Sequence, residues 1–411
     1  MKNNQPTIKR SSFLRLVFLT ACSLGAGFSS LASLRAEGKP KKATGVSKVK
    51  DRSLQLEIEH AIEKGLVFLQ SKQDAGGFWS SVEYPALTGL VLTAFVKDPA
   101  ADANGRSAQF IQKGYDYLLG CVKPDGGIYM QGLANYNTSV AMMALLEADP
   151  VRYAETIQNA RNFIIGQQGH FPSVDGKPSP YEGGVGYGDD GPHSDMSNTA
   201  FALEALHKMQ SKSDGPYPDP GTADGAKDLN WGAAVEFLQR CQNLPKYNKQ
   251  AWASDDSQNV GGFVYDPLES KAGETTLSDG KKGLRSYGSI SYAGLMSYIF
   301  ARLKKDDPRV TAAYDWLCHN YTVEENPGMG VQGLYYYYHT MAKALSVYDV
   351  DELSVAGGKK VDWRQDLALK LINLQQNDGF WVNSNGRWWE KDPVLVTAYS
   401  VLSLEMIHSG V

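Results

Sequence analysis

An all-α fold in which six helix pairs close into a ring follows from three features of the sequence. One motif recurs six times in register, each recurrence leads into a second, drier apolar stretch, and neither end of the series is more polar than its middle. Repeats of this length mark architectures in which a unit buries its apolar face only against its neighbours. The composition allows such a core: of 411 residues, 42% are apolar and 21% charged, which excludes a disordered, collagen-like or disulfide-framework chain.

In the first copy, Ile58, Ile62, Leu66 and Leu69 fall at helical spacing while Glu57, Glu63, Lys64 and Lys72 take other faces, which predicts an outer helix with one wet side. The motif itself is Gly65, Phe68-Leu69, Gln73 and the turn Gly76-Gly77. Its partner, Pro85 to Val96, carries no charge and predicts a helix buried all round, with Pro85 in the first turn where a missing N–H costs nothing. The second copy repeats this as Gly114, Tyr117-Leu118, Val122 and Gly126-Gly127, then Thr138 to Leu146. In the third, Ala160, Phe163-Ile164, Gln168 and Gly183-Gly184 precede Thr199 to Leu206. The fourth reads Ala234, Phe237-Leu238, Gln242 and Gly261-Gly262, then Ser289 to Phe300. The fifth is weaker, with Ala313, Trp316-Leu317, Tyr321 and Gly328 with Gly330 before Leu334 to Leu345. The sixth has Ala368, Leu371-Ile372, Gln376 and Gly379 before Pro393 to Leu404. Glu204 and Lys343 are the charges that interrupt the inner stretches. An open solenoid would need polar capping repeats, yet the terminal units are as apolar as the rest and Trp381, Trp388 and Trp389 crowd the last; closure removes the ends. A monomer is the expected state.

The N-terminus reads as an export signal. Lys2, Lys9, Arg10 and Arg15 precede an apolar run to about Ala26, and small residues lead to Leu34-Arg35-Ala36, which predicts cleavage after Ala36. A competing reading takes Leu19-Thr20-Ala21-Cys22 as a lipobox and makes Cys22 an acylated membrane tether, although only six residues separate Arg15 from Cys22. Residues 37–52, with six basic and two acidic groups, read as a flexible linker, and 53–411 as one domain carrying 30 basic and 43 acidic groups. That acidic body argues against nucleic acid as a partner. Cys121, Cys241 and Cys318 are too few and too scattered for a disulfide framework and are expected as small core residues.

Lys64-Gly65, Phe68-Leu69, Gln73, Gly77 and Trp79 resemble the QW repeat of squalene-hopene and oxidosqualene cyclases, whose fold is shared with protein prenyltransferase β subunits. The resemblance runs from about residue 53 to the C-terminus and implies an alpha-alpha toroid, with an inner and an outer ring of helices. It also implies a central cavity for a hydrophobic, isoprenoid-type substrate, and a glutamine that ties an outer helix to the start of the next.

The chemistry of that family does not carry over residue by residue. Aligned on Thr199-Ala200, the cyclase motif Asp-x-Asp-Asp-Thr reads Asp195-Met196-Ser197-Asn198-Thr199, so the proton-donating middle acid is a serine, whose ordinary pKa is far too high to protonate an alkene. The prenyltransferase zinc set has no counterpart at Ser289-Ile290-Ser291 or Val396-Thr397, and no cofactor or metal is expected. Function should lie at the inner-helix starts, just after each glycine turn. The richest stretch holds Asp190, His193 and Asp195, the candidate catalytic groups; Asp195 and Asn198 are equally suited to capping the inner helix. Candidate ligand contacts are Tyr136, Tyr187, Ser197, Asn198, Tyr287, Tyr292, His339 and Trp388, since aromatic faces take carbocations, cations, sugars or alkyl chains. Three functions remain open: an exported enzyme acting on a hydrophobic small molecule, a non-catalytic module for a lipid, glycan or peptide, and a carbohydrate-active enzyme using Lys281, Lys282 and Arg285.

Overall fold

The computed structural model describes residues 48–101, 108–171, 176, 178–188, 193–211 and 228–409. The signal, the lipobox and most of the linker lie outside them. The outer stretches form α1 (Arg52–Ser71), α3 (Gln109–Gly120), α5 (Ala154–Gly166), α7 (Trp231–Cys241), α9 (Pro308–His319) and α11 (Trp363–Leu374). The drier ones form α2 (Pro85–Lys97), α4 (Ala134–Ala148), α6 (Met196–Ser211), α8 (Gly288–Phe300), α10 (Leu334–Val347) and α12 (Pro393–Ser409). The chain is therefore mostly helical. It also has two short antiparallel hairpins that an all-α reading leaves out: β1 (Glu274–Thr276) with β2 (Lys282–Leu284), and β3 (Glu352–Ser354) with β4 (Lys360–Asp362).

The even-numbered helices pack in chain order, α2 on α4, α4 on α6, α6 on α8, α8 on α10 and α10 on α12, and α12 packs on α2. Each odd-numbered helix lies against an even-numbered neighbour, and the periodic side chains Ile58, Ile62, Leu66 and Leu69 of α1 are buried as their spacing predicts. Pro85, Pro308 and Pro393 open α2, α9 and α12.

The repeated glutamine explains the joints. Gln73 Nε2 donates to the carbonyls of Gly77 (2.9 Å) and Phe110 (2.7 Å), tying the first glycine turn to the start of α3. Gln168 does the same with Gly183 and Asn230, and Gln242 with Gly261 and Arg309. In the last unit the neighbouring Gln375, rather than Gln376, takes the role, donating to Gly379 and to Ala61 of α1, so the sixth joint reaches back to the first helix. Gln376 Nε2 is exposed and turns to Leu374. The glycines are steric requirements: Gly77 has φ +92° and a Cβ there would lie 2.4 Å from the Lys113 carbonyl, while Gly379 has φ +89° and its Cβ would lie 2.5 Å from that of Lys64. Lys113 and Lys64 occupy equivalent places, each one residue before the motif glycine.

A second repeated device fastens five of the six turns to the helix that follows. The hydroxyls of Thr88, Thr138, Thr199, Ser291 and Thr397 accept the backbone N–H of Trp79, Ile128, Val185, Phe263 and Trp381. Thr199 thus has a structural duty. Cys121, Cys241 and Cys318 are free and buried, with their thiol pKa values pushed up by burial.

Candidate functional site

At the starts of the even-numbered helices lies a cavity of about 340 Å³. Every one of those helices, or the residues leading into it, contributes to the wall: Tyr84 and Leu87 at α2, Leu133 and Tyr136 at α4, Ser197, Asn198 and Phe201 at α6. Tyr287, Ser289 and Ile290 come from α8, Tyr336 from α10, and Leu395 and Tyr399 from α12. Loops add Tyr187, Tyr265 and the segment Trp388-Trp389-Glu390. Ten of the lining side chains are aromatic. Trp388 and Trp389 stand about half exposed in a left-handed turn (φ 54° and 66°), and Trp389 meets Tyr84 edge-on at 4.5 Å. Bulky side chains at positive φ are strained, and such strain survives only where surroundings hold it.

Of the sequence-derived candidates, Tyr136, Tyr187, Ser197, Asn198, Tyr287 and Trp388 line this cavity. Tyr292 and His339 do not. Tyr292 is two residues past the lining residue Ile290, which on a helix turns it to the far side, where it packs on Tyr337 at 5.7 Å. His339 follows Tyr336 by three residues and keeps its face but sits one turn deeper, stacked on Tyr399 at 5.1 Å; burial holds its pKa well below the usual range, with Lys343 and Lys208 adding to the effect. Of the four tyrosines 335–338 only Tyr336 reaches the cavity; Tyr337 and Tyr338 donate to the Thr322 and Val323 carbonyls.

Asp190 lies outside the described residues. Asp195 is fully buried behind the wall and does not line it. One carboxylate oxygen accepts the Asn198 N–H (2.9 Å), the hydrogen bond of a helix cap, and the other accepts Asn198 Nδ2 (2.8 Å). His193 Nε2 stands 3.7 Å from the second oxygen, and its ring stacks parallel to Tyr187 at 6.2 Å. Burial raises the Asp195 pKa to about 6 against the opposing pull of Asn198 and His193. Asn198, which does face the cavity, is held in turn by Asn135 Nδ2, so the polar chain from His193 through Asp195 meets the wall at Asn198, an amide that has no acidic proton to give.

The carboxyl that does line the cavity is Glu390, which sequence reasoning missed. It is buried, its Oε1 accepts the Tyr336 N–H at the start of α10 (2.8 Å), and its Oε2 accepts Asn383 Nδ2 (2.6 Å). Burial raises its pKa, opposed by those donors. Its one sequence signal is a position beside Trp388-Trp389 and just before the last inner helix. Lys281 and Lys282 sit on the β1–β2 hairpin, paired with Asp279 and Glu274, and neither they nor Arg285 line the cavity. Among the described residues no three His, Cys, Asp or Glu side chains converge as a metal site requires.

The fold is similar to that of helical proteins of known structure, among them a terpenoid cyclase of the kind that the repeat resembles. The type II terpene cyclase MstE from Scytonema in complex with merosterolic acid A has a similar structure, at a TM-score of 0.52 and 12% identity over 86% of this chain and 98% of that one. The same enzyme with geranylgeranyl dihydroxybenzoate gives 0.51 and 11%, over 86% and 98%. The GH76A alpha-1,6-mannanase from Salegentibacter sp. HEL1_6 is equally similar, at 0.52 and 10% over 85% and 98%. At such identities the likeness shows the fold alone. No family model and no curated protein matches the sequence.

Proposed function

We propose that the chain closes into a six-pair alpha-alpha toroid whose central cavity binds a hydrophobic small molecule. The return of α12 onto α2 and the bond from Gln375 to Ala61 support closure. The aromatic wall carries the functional reading: ten rings enclose the cavity, and MstE, of similar fold, has been solved with merosterolic acid A and with geranylgeranyl dihydroxybenzoate. Binding is favoured over cyclisation by the cyclase motif because Ser197 and Asn198 stand on the wall while Asp195 is sealed behind it, and the carboxyl that does reach the wall, Glu390, has both oxygens engaged by N–H donors. We take the protein to be exported as a monomer and cleaved after Ala36, with acylation at Cys22 as the alternative; N-terminal sequencing of the mature form distinguishes the two.

A mass-spectrometric search of an organic extract of residues 37–411, purified after export, tests the ligand. A stoichiometric apolar compound, or saturable quenching of tryptophan fluorescence by added alkyl probes, is the expected outcome. Absence of both overturns the reading. One observation favours a glycan instead: Trp388 and Trp389 are exposed at the mouth, as sugar-stacking rings are. Saturable binding of an oligosaccharide with no response to alkyl probes would establish that alternative.

A further inference from the structure

We propose that the cavity selects a ligand whose polar end is a cation, an alkylamine or quaternary ammonium group, and that Glu390 is its anchor. The inference rests on the cavity being the ligand site and adds the charge of what it takes. Among the described residues Glu390 is the sole charged side chain on the wall, and no Lys, Arg or His lines the cavity. It is 1% exposed, and no ion pair to it is found among the described residues, only hydrogen bonds from neutral donors. A carboxylate in that setting lacks a counter-ion, and a ligand cation would provide one.

The rings around it suit the same charge. Tryptophan and tyrosine faces attract ammonium groups, most strongly where water is excluded. The protein already uses lining rings so: Lys271 Nζ lies 4.2 Å from the centre of Tyr265, and Arg387 stacks 4.4 Å from that of Trp388. The converging helix starts would by themselves favour an anion. Five of the six are already answered by side chains: by Asp195 at α6, Glu390 at α10 and Asp392, whose carboxylate accepts the Val394 N–H, at α12. Asn137 and Asn326 serve α2 and α8 in the same way. An anionic head entering this cavity would find spent donors and an uncompensated carboxylate.

Tryptophan-fluorescence titration of the intact mature protein with octyltrimethylammonium, octan-1-ol and octanoate, all below any micelle concentration, tests this. The ammonium compound should bind about tenfold or more tightly than the alcohol, and octanoate most weakly. Glu390→Gln should abolish the preference for the ammonium compound over the alcohol. Equal binding of cation and alcohol, or preference for octanoate, overturns the proposal while leaving the hydrophobic cavity intact; failure of all three overturns both. The ranking on the unaltered protein decides the matter even if Glu390→Gln does not fold.

Discussion

The two ends of the inner helices treat buried polarity in opposite ways. At their starts the six helices stand around a hollow lined with aromatic rings, and carboxylates there serve neutral N–H groups: Asp195 holds Asn198 and Glu390 holds Tyr336. Towards their other ends four of them meet in a chain of ion pairs. Lys97 of α2 faces Glu147 of α4 (3.7 Å), Glu147 faces Lys208 of α6 (3.7 Å), Lys208 faces Glu204 (3.6 Å), and Glu204 binds Lys343 of α10 at 2.8 Å. Burial opposes the charge on Glu204, but Lys343 and Lys208 prevail and hold its pKa below the ordinary value. The difference teaches that one set of helices can be plugged at one end by compensated charge and stand around an aromatic-lined cavity at the other. Charge at the plug is spent on structure; charge at the mouth is what a ligand can meet.

The sharpest way to break the contrast is to unpair the plug. Lys343→Met leaves Glu204 buried with the more distant Lys208 alone and should cost about 3–5 kcal/mol in a denaturant titration, the usual loss when a buried pair is halved. A loss under about 1 kcal/mol would mean that water reaches the pair and that there is no plug.

At the mouth end, Gly379→Ala should be next, costing about 2–3 kcal/mol from its positive φ and the Lys64 carbonyl in its path. Gly77→Ala should cost about the same, since its neighbour Lys113 is the equivalent carbonyl. A much smaller loss at Gly379 would open the ring at that seam.

Asp195 separates the ends by pH. Its folded pKa of about 6 exceeds the unfolded value of 3.8, so the fold binds the extra proton between them. Stability from this group is therefore fully present below about pH 4 and is lost as pH rises through 6. Asp195→Asn keeps an acceptor for the Asn198 N–H and should abolish that slope, worth of order 3 kcal/mol, without changing affinity for alkyl probes. Loss of probe binding would instead put Asp195 at the ligand.

A last change concerns Glu405 of α12, whose two oxygens have no hydrogen-bond partner among the described residues and whose pKa burial pushes well above the ordinary range. The folded state favours its protonated form, so stability falls as pH rises above about 4.5. Glu405→Gln should leave stability unchanged below pH 4 and raise it at pH 8, read from thermal unfolding. No gain at pH 8 would mean that the carboxylate ionises freely and finds Lys97.

Much of the molecule was legible because its period is local. Gly65, Phe68-Leu69, Gln73 and Gly77 state in one short stretch where a helix ends, how its turn folds and what ties it to the next. The slip from Gln376 to Gln375 shows the limit: both are glutamines, and only the packing of α11 decides which one reaches Ala61. Among the candidate contacts, those at helix starts fell on the wall, because a start is fixed by a turn. Tyr292 and His339, placed by helix face and depth, did not.

By itself the sequence determined the repeats, the wet and dry members of each pair and the substitution of Ser197 and Asn198 for acids, since these depend on neighbours within a turn or two. Which carboxyl meets the cavity was decided only by the tertiary structure. Asp195 sits in the richest local cluster yet is buried behind Asn198, while Glu390 follows two tryptophans in an unremarked loop and arrives at the wall by capping a helix 54 residues earlier in the chain. A local pattern cannot encode that meeting, because the free energy that sets it belongs to α10 and the loop together.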